Sequence, residues 1–170
     1  MDCGSAGEAE ATAPCPSCGA PGVGGLEGCR AVFDRVLERE FSDPEYFSAQ
    51  GLTVNAYSLQ HPEQFMKSSK SAAAHLAWMC WSMERGRATH MPRPLKAWVD
   101  GPRTYTRVPP PPAGARGEMT VASIVDAVDA AGYELRAAEW ARSAWAAWSP
   151  HWDQARAWVQ EALAVDATDA

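Results

Sequence analysis

Wherever this chain is apolar it is apolar at steps of three and four residues, and nowhere does it alternate with the period of two that a half-buried strand requires. In CRAVFDRVLEREF the residues Val32, Phe33, Val36, Leu37 and Phe41 share one face, and between Glu63 and Glu84 Phe65, Met66, Ala72, Ala73, Leu76, Met79 and Cys80 repeat the pattern. Stripes of this kind must be buried against other helices, so the spacing predicts an all-α fold, a single-domain helical bundle. A length of 170 residues suits one core, and a composition 46% hydrophobic with 8 tryptophans supplies the apolar area that offsets the entropy of ordering it.

Proline, glycine and capping residues divide the stripes. Ser42-Asp43-Pro44 ends the first helix and caps the next, with Pro44 in a tolerated first-turn position. From Tyr46 to Leu59 the pattern predicts one or two helical turns broken at Gly51, then a helix running into His61. Pro62 denies His61 helical geometry and restarts the chain, which predicts one long helix to Glu84 with Gly86 as its stop. Residues 87–118 are too rich in proline and glycine for more than a turn around Leu95 to Val99 and are expected to wrap as a loop. Thr120 is placed to cap a helix in TVASIVDAVDAAG, followed by helices from Tyr133 to Ser149 and from Pro150 to Val165. The domain is thus expected over 15–165, between a disordered lead-in (1–14) and a disordered tail (166–170).

A net charge of -6 with a pI near 5.2 opposes attraction to phosphate backbones or anionic lipid, so neither nucleic acid nor membrane is expected as a partner. The first residues have neither a basic nor an apolar signal region, and no stretch approaches the roughly 18 apolar residues of a spanning helix. The expected location is cytoplasmic. No Walker loop, dinucleotide fingerprint, HExxH helix or GxSxG elbow is present, which closes the familiar routes to a named enzyme.

The cysteines carry the chemistry. Cys15-Pro16-Ser17-Cys18-Gly19 is a CxxCG turn, whose spacing lets two thiolates face one tetrahedral ion while the glycine admits tight backbone geometry beside them. Cys29, at an expected helix start, can bring a third. Without an export signal a disulfide framework is disfavoured, and zinc, structural rather than catalytic, is the expected occupant of this N-terminal CxxC loop. A redox pair is the alternative, but it lacks the strand-to-helix setting of thioredoxin-like motifs. The fourth ligand is expected from a histidine. His61 is favoured because Pro62 fixes it at a chain break, whereas His75 lies on an apolar helix face and reads as a core residue. Cys3 is the reserve candidate. Lys67, Lys70 and Glu63 read as a solvated helix face, and His151 as a surface residue at a helix start. Trp140, Trp145, Trp148, Trp152 and Trp158 read first as core packing, with an indole-lined ligand pocket as the sharper option.

Taken together, CPSCG, FDRVLEREFSDPEYF, LTVNAYSLQHPE, KSAAAHL and WARSAWAAWSPHW resemble an uncharacterised bacterial family, domain of unknown function 5946, over residues 15–158. The resemblance implies that Cys15, Cys18, Cys29 and His61 belong to one pattern, and it brings no activity with it. At two positions the chain departs from the family: Gln50 stands where a histidine is expected before LTV, and Asn55 where LTVDAY is usual. A metal role that needs those two positions is therefore not expected here.

Two functional readings follow. In the first, zinc staples the N-terminal loop to a helical module that binds a small molecule or a protein partner in an accessory role. In the second, the protein is a metal-dependent enzyme, hydrolase- or lyase-like, in which His61, His75 and thiolates leave one zinc position open for a water whose pKa falls to about 7. The sequence does not specify the oligomeric state.

Overall fold

The computed structural model describes residues 12–168, which form eight α-helices and no strand. Residues 1–11 of the expected lead-in, Cys3 included, and the last two residues of the expected tail lie outside the described residues. Helix α1 (Gly25–Ser42) starts earlier than the stripe led by Cys29 and buries Val32, Phe33 and Val36. Phe41 departs from the expected inward face: it is 68% exposed and its ring rests 5.9 Å from that of Phe47. Asp43 ends α1 and its carboxylate accepts the Glu45 N–H, which opens the one-turn helix α2 (Pro44–Phe47) as the Ser-Asp-Pro punctuation requires.

Helix α3 (Gln50–Gln60) overturns the expected break at Gly51, because the helix runs straight through it. Gly51 serves close approach instead: a Cβ there would stand 2.0 Å from the carbonyl oxygen of Ala88. After His61 the single long helix expected to Glu84 is two helices, α4 (Pro62–Phe65) and α5 (Ser69–Glu84). The chain is interrupted at Ser68 because Ser68 and Ser71 cap each other reciprocally, and that local bonding competes with helix continuation. The wrapping loop carries a full helix, α6 (Arg93–Asp100), with Leu95 and Trp98 buried. Its prolines fall in the first turn, where a missing N–H costs nothing. The helix expected from Thr120 is only a 3-10 turn, Val121–Ser123, because Asp129 caps a later start by accepting the Gly132 N–H at 2.7 Å. That start opens α7 (Ala130–Ala147). A second 3-10 turn, Ser149–His151, leads into α8 (Trp152–Thr168), which continues past residue 166, where a tail was expected.

Helix α3 is the axis of the bundle, with nine of its eleven residues buried. It lies between α7 and α5, and α8 covers α5 and α6. The fully buried Ala56 on α3 and Ala137, Ala141 and Ala144 on α7 are small enough for helices to approach closely, and the tryptophans fill what they leave. Three of these indoles are also tied down by their N–H groups: Trp140 to Gln60 Oε1 at 2.9 Å, Trp148 to the Leu59 carbonyl at 3.1 Å, Trp152 to the Trp145 carbonyl at 3.0 Å. These indoles are structural in the first instance, as their helical spacing indicates.

One acid is caught in this core. Glu40 is 1% exposed; Thr53 and Tyr133 each donate to its Oε1 at 2.7 Å, and Oε2 has no partner. Burial pushes its pKa up to about 7 against the opposing effect of those two hydrogen bonds. An acid whose folded pKa is raised contributes stability below its unfolded value, and that stability is lost as pH rises through the folded one. Between pH 4.5 and 7 this group therefore makes the protein less stable as pH increases. Glu40→Gln, which keeps the Oε1 acceptor, is expected to be more stable than the parent at pH 8 by about 1–3 kcal/mol and to match it near pH 5. Urea midpoints of the two proteins across that range read the difference, and parallel curves would refute it.

Candidate metal centre

Residues 15–20 turn on themselves: the Cys15 N–H donates to the Ala20 carbonyl at 2.9 Å, and the Gly19 N–H donates to the Cys15 carbonyl at 2.8 Å. Gly19 sits at φ 80°, a conformation that a side chain would strain. The turn aims both thiols inward, and the backbone N–H groups of Cys18 and Ala20 donate to the sulfurs of Cys15 and Cys18. The first turns of α1 bring Cys29, and the end of α3 brings His61, whose φ of -126° confirms that Pro62 forces it out of helix.

The ligating atoms of Cys15, Cys18, Cys29 and His61 all lie within 4.8 Å of one another, and all four residues are buried. His61 Nε2 is 3.5 Å from the sulfurs of both Cys15 and Cys29, and the sulfurs of Cys18 and Cys29 are 3.7 Å apart. His61 Nδ1 is 2.8 Å from the Tyr57 carbonyl, which can only accept, so Nδ1 carries the proton and the Nε2 lone pair faces the sulfurs. Tyr57 braces the group further, with its ring stacked between those of His61 (3.9 Å) and Phe33 (3.8 Å) and its hydroxyl donating to the Cys29 sulfur at 3.9 Å.

Three sulfurs in contact cannot all carry charge unaided. Hydrogen bonds from Cys18 and Cys29 hold the Cys15 thiol far below the ordinary thiol range. The same bonds, with burial and the charge on Cys15, push Cys18 up to about 11 and Cys29 higher still. Only one proton leaves easily; a divalent cation among the sulfurs would release the others. These residues are thus a candidate metal site.

A clamp on the other side of the CxxC loop had no signal in the sequence. Arg116, 2% exposed, sits in the proline-glycine segment and donates from Nε to the Pro111 carbonyl at 3.0 Å. Its Nη1 donates to Ser17 Oγ at 2.7 Å, the Gln60 carbonyl at 3.1 Å and Glu63 Oε2 at 2.9 Å, and Nη2 donates to Glu63 Oε1. Glu63 is therefore not simply a solvated-face residue; its carboxyl is held below the ordinary range by Arg116. The guanidinium fork joins the CxxC loop, the α3–α4 junction and the irregular strap of residues 101–120 in one place.

The remaining candidates fall elsewhere. His75 Nδ1 is 2.9 Å from Asn55 Oδ1, and burial pushes its pKa down to about 4, so it is a neutral side chain hydrogen-bonded within the bundle and outside the cysteine group. Gln50 lies at the start of α3, at the opposite end from His61, and Asn55 faces His75. Cys80 is buried on α5, apart from the other cysteines. His151 Nε2 meets the Pro109 carbonyl at 2.8 Å and pins the strap to the α7–α8 junction. No described helix is long and apolar enough to cross a membrane.

A family model described as "Family of unknown function (DUF5946)" matches residues 13–149, a span that contains the whole cysteine-histidine group and its clamp. No curated protein and no solved structure matches the chain.

Proposed function

The chain belongs to that family of unknown function, and from its buried four-donor pocket we propose that it is a zinc-stabilised helical protein acting as a small-molecule-binding or accessory module. The observation that carries the reading is the spacing of the donors. A tetrahedral zinc with Zn–S of about 2.3 Å and Zn–N of about 2.0–2.1 Å sets sulfur–sulfur edges of about 3.8 Å and sulfur–nitrogen edges of about 3.6 Å. The sulfurs of Cys18 and Cys29 stand 3.7 Å apart and His61 Nε2 stands 3.5 Å from the sulfurs of Cys15 and Cys29, inside a group whose donors all lie within 4.8 Å of one another. Three thiolates and an imidazole complete such a shell, and the tautomer of His61 presents the correct nitrogen. The ion would supply charge neutralisation for the sulfurs and a crosslink between the N-terminal loop, α1 and α3.

Four protein donors, each buried, fit a structural site, since catalytic zinc keeps a position for water. An enzyme built on His61 and His75 finds no support in the geometry, because His75 is engaged with Asn55. Elemental analysis of the purified protein is expected to give one zinc per chain. In the folded protein the thiols of Cys15, Cys18 and Cys29 should resist titration until a chelator is added. Metal-free protein of unchanged stability, with those thiols freely reactive, would overturn the assignment.

A further inference from the structure

A cleft of about 450 Å³ opens beside the metal centre, between the α4–α5 junction and the strap, a volume within the usual range for small-molecule sites. Its apolar wall is built by Met66, Val108 and Pro110, backed by the buried Pro62, Ala72 and Trp148. Trp148, 1% exposed, spends its N–H on the Leu59 carbonyl and supports the wall from behind. Lys67 and Arg107 stand on the lining as well, both exposed and without an ion-pair partner among the described residues. The lining has one acid, Glu63, and Arg116 already holds it. In a chain of net charge -6, the cleft next to the metal loop is thus locally positive.

We propose that this cleft binds a small organic carboxylate with an apolar body, the body lying on Met66, Val108 and Pro110 and the carboxylate meeting Lys67 and Arg107. The inference deepens the small-molecule-binding reading and rests on it, but it does not depend on which metal fills the neighbouring site. Two unpaired cations of different reach select a negative head group, because a cation left facing an uncharged ligand gains nothing to offset its lost hydration. The apolar wall selects against a bare inorganic anion, which has no surface to bury there. Pro62 follows His61 directly and Glu63 is held by the Arg116 clamp, so the cysteine-histidine group and the clamp together position one wall of the cleft.

Calorimetry with 1-naphthaleneacetate, its uncharged amide and inorganic phosphate tests the assignment on the full chain. Saturable one-to-one binding of the acid is expected. In K67A/R107A, whose changes lie on the surface, affinity for the acid should fall about tenfold or more as charge-assisted bonds are lost. The amide should bind equally weakly to both proteins, and phosphate should not compete. Absence of saturable binding at millimolar acid, equal affinity in the double variant, or acid no tighter than amide would each overturn the proposal. Effective competition by phosphate would overturn the role given to the apolar wall. Zinc content measured on the same samples keeps the two readings separate: a zinc-free protein that still binds the acid refutes the metal assignment alone, and a zinc-replete protein that does not bind it refutes this one alone.

Discussion

His61→Ala is expected to lose the metal and to lower the melting temperature by about 10 °C or more in one step, because the free energy of metal binding is also free energy of folding. The imidazole is the donor that ties α3 to a loop otherwise supplied by Cys15, Cys18 and Cys29. Without it only three sulfurs remain to hold an ion and the link to α3 is gone, so the metal should be held far more weakly. His75→Ala supplies the control. It should keep its metal and cost about 1–3 kcal/mol, the penalty for leaving Asn55 Oδ1 without its buried partner. Metal content and thermal melts of the two variants read the asymmetry. Loss of metal from His75→Ala with retention in His61→Ala would show that the wrong histidine has been assigned.

Gln60→Leu is the second large effect. Gln60 is fully buried, and its amide satisfies three groups at once: Nε2 donates to the carbonyls of Arg116 (2.9 Å) and Met119 (2.7 Å), and Oε1 accepts from Trp140 Nε1 (2.9 Å). Leucine has a similar volume and none of these bonds, so the loss is expected at about 3–5 kcal/mol, from three polar groups stranded in the core. The strap should also loosen, because its attachment beside Arg116 runs through this side chain. Urea unfolding checks the stability, and faster proteolysis between residues 101 and 120 checks the loosening; a variant as stable as the parent would refute the accounting.

What was legible in the sequence was what neighbours along the chain decide. Pro62 acts on His61 at the next position, Asp43 on the N–H two residues on, and the CxxCG spacing on its own two thiols, and these features could be read without a fold. The Gly51 break, the inward Phe41 and the long helix through Ser68 were misread because distant or competing partners decide them: the Ala88 carbonyl in the first case, the position of α2 in the second, a serine pair in the third. Arg116 and Glu40 gave no signal at all. Their roles come from contacts spanning more than fifty residues for Arg116 and ninety for Glu40 and Tyr133, which no local pattern encodes.

The end of α3 is completed by two parts of the chain made at different times. The cysteines clustered with His61 all precede it, Cys15 by 46 residues and Cys29 by 32. Its indole partners follow it, Trp140 80 residues after Gln60 and Trp148 89 after Leu59. At a synthesis rate of about 5–20 residues per second, several seconds separate the emergence of His61 from that of the tryptophans. During that interval a nascent chain already holds every donor for the ion and none of the helices that later cover it, so metal uptake can come first and give α7 and α8 an ordered surface on which to dock.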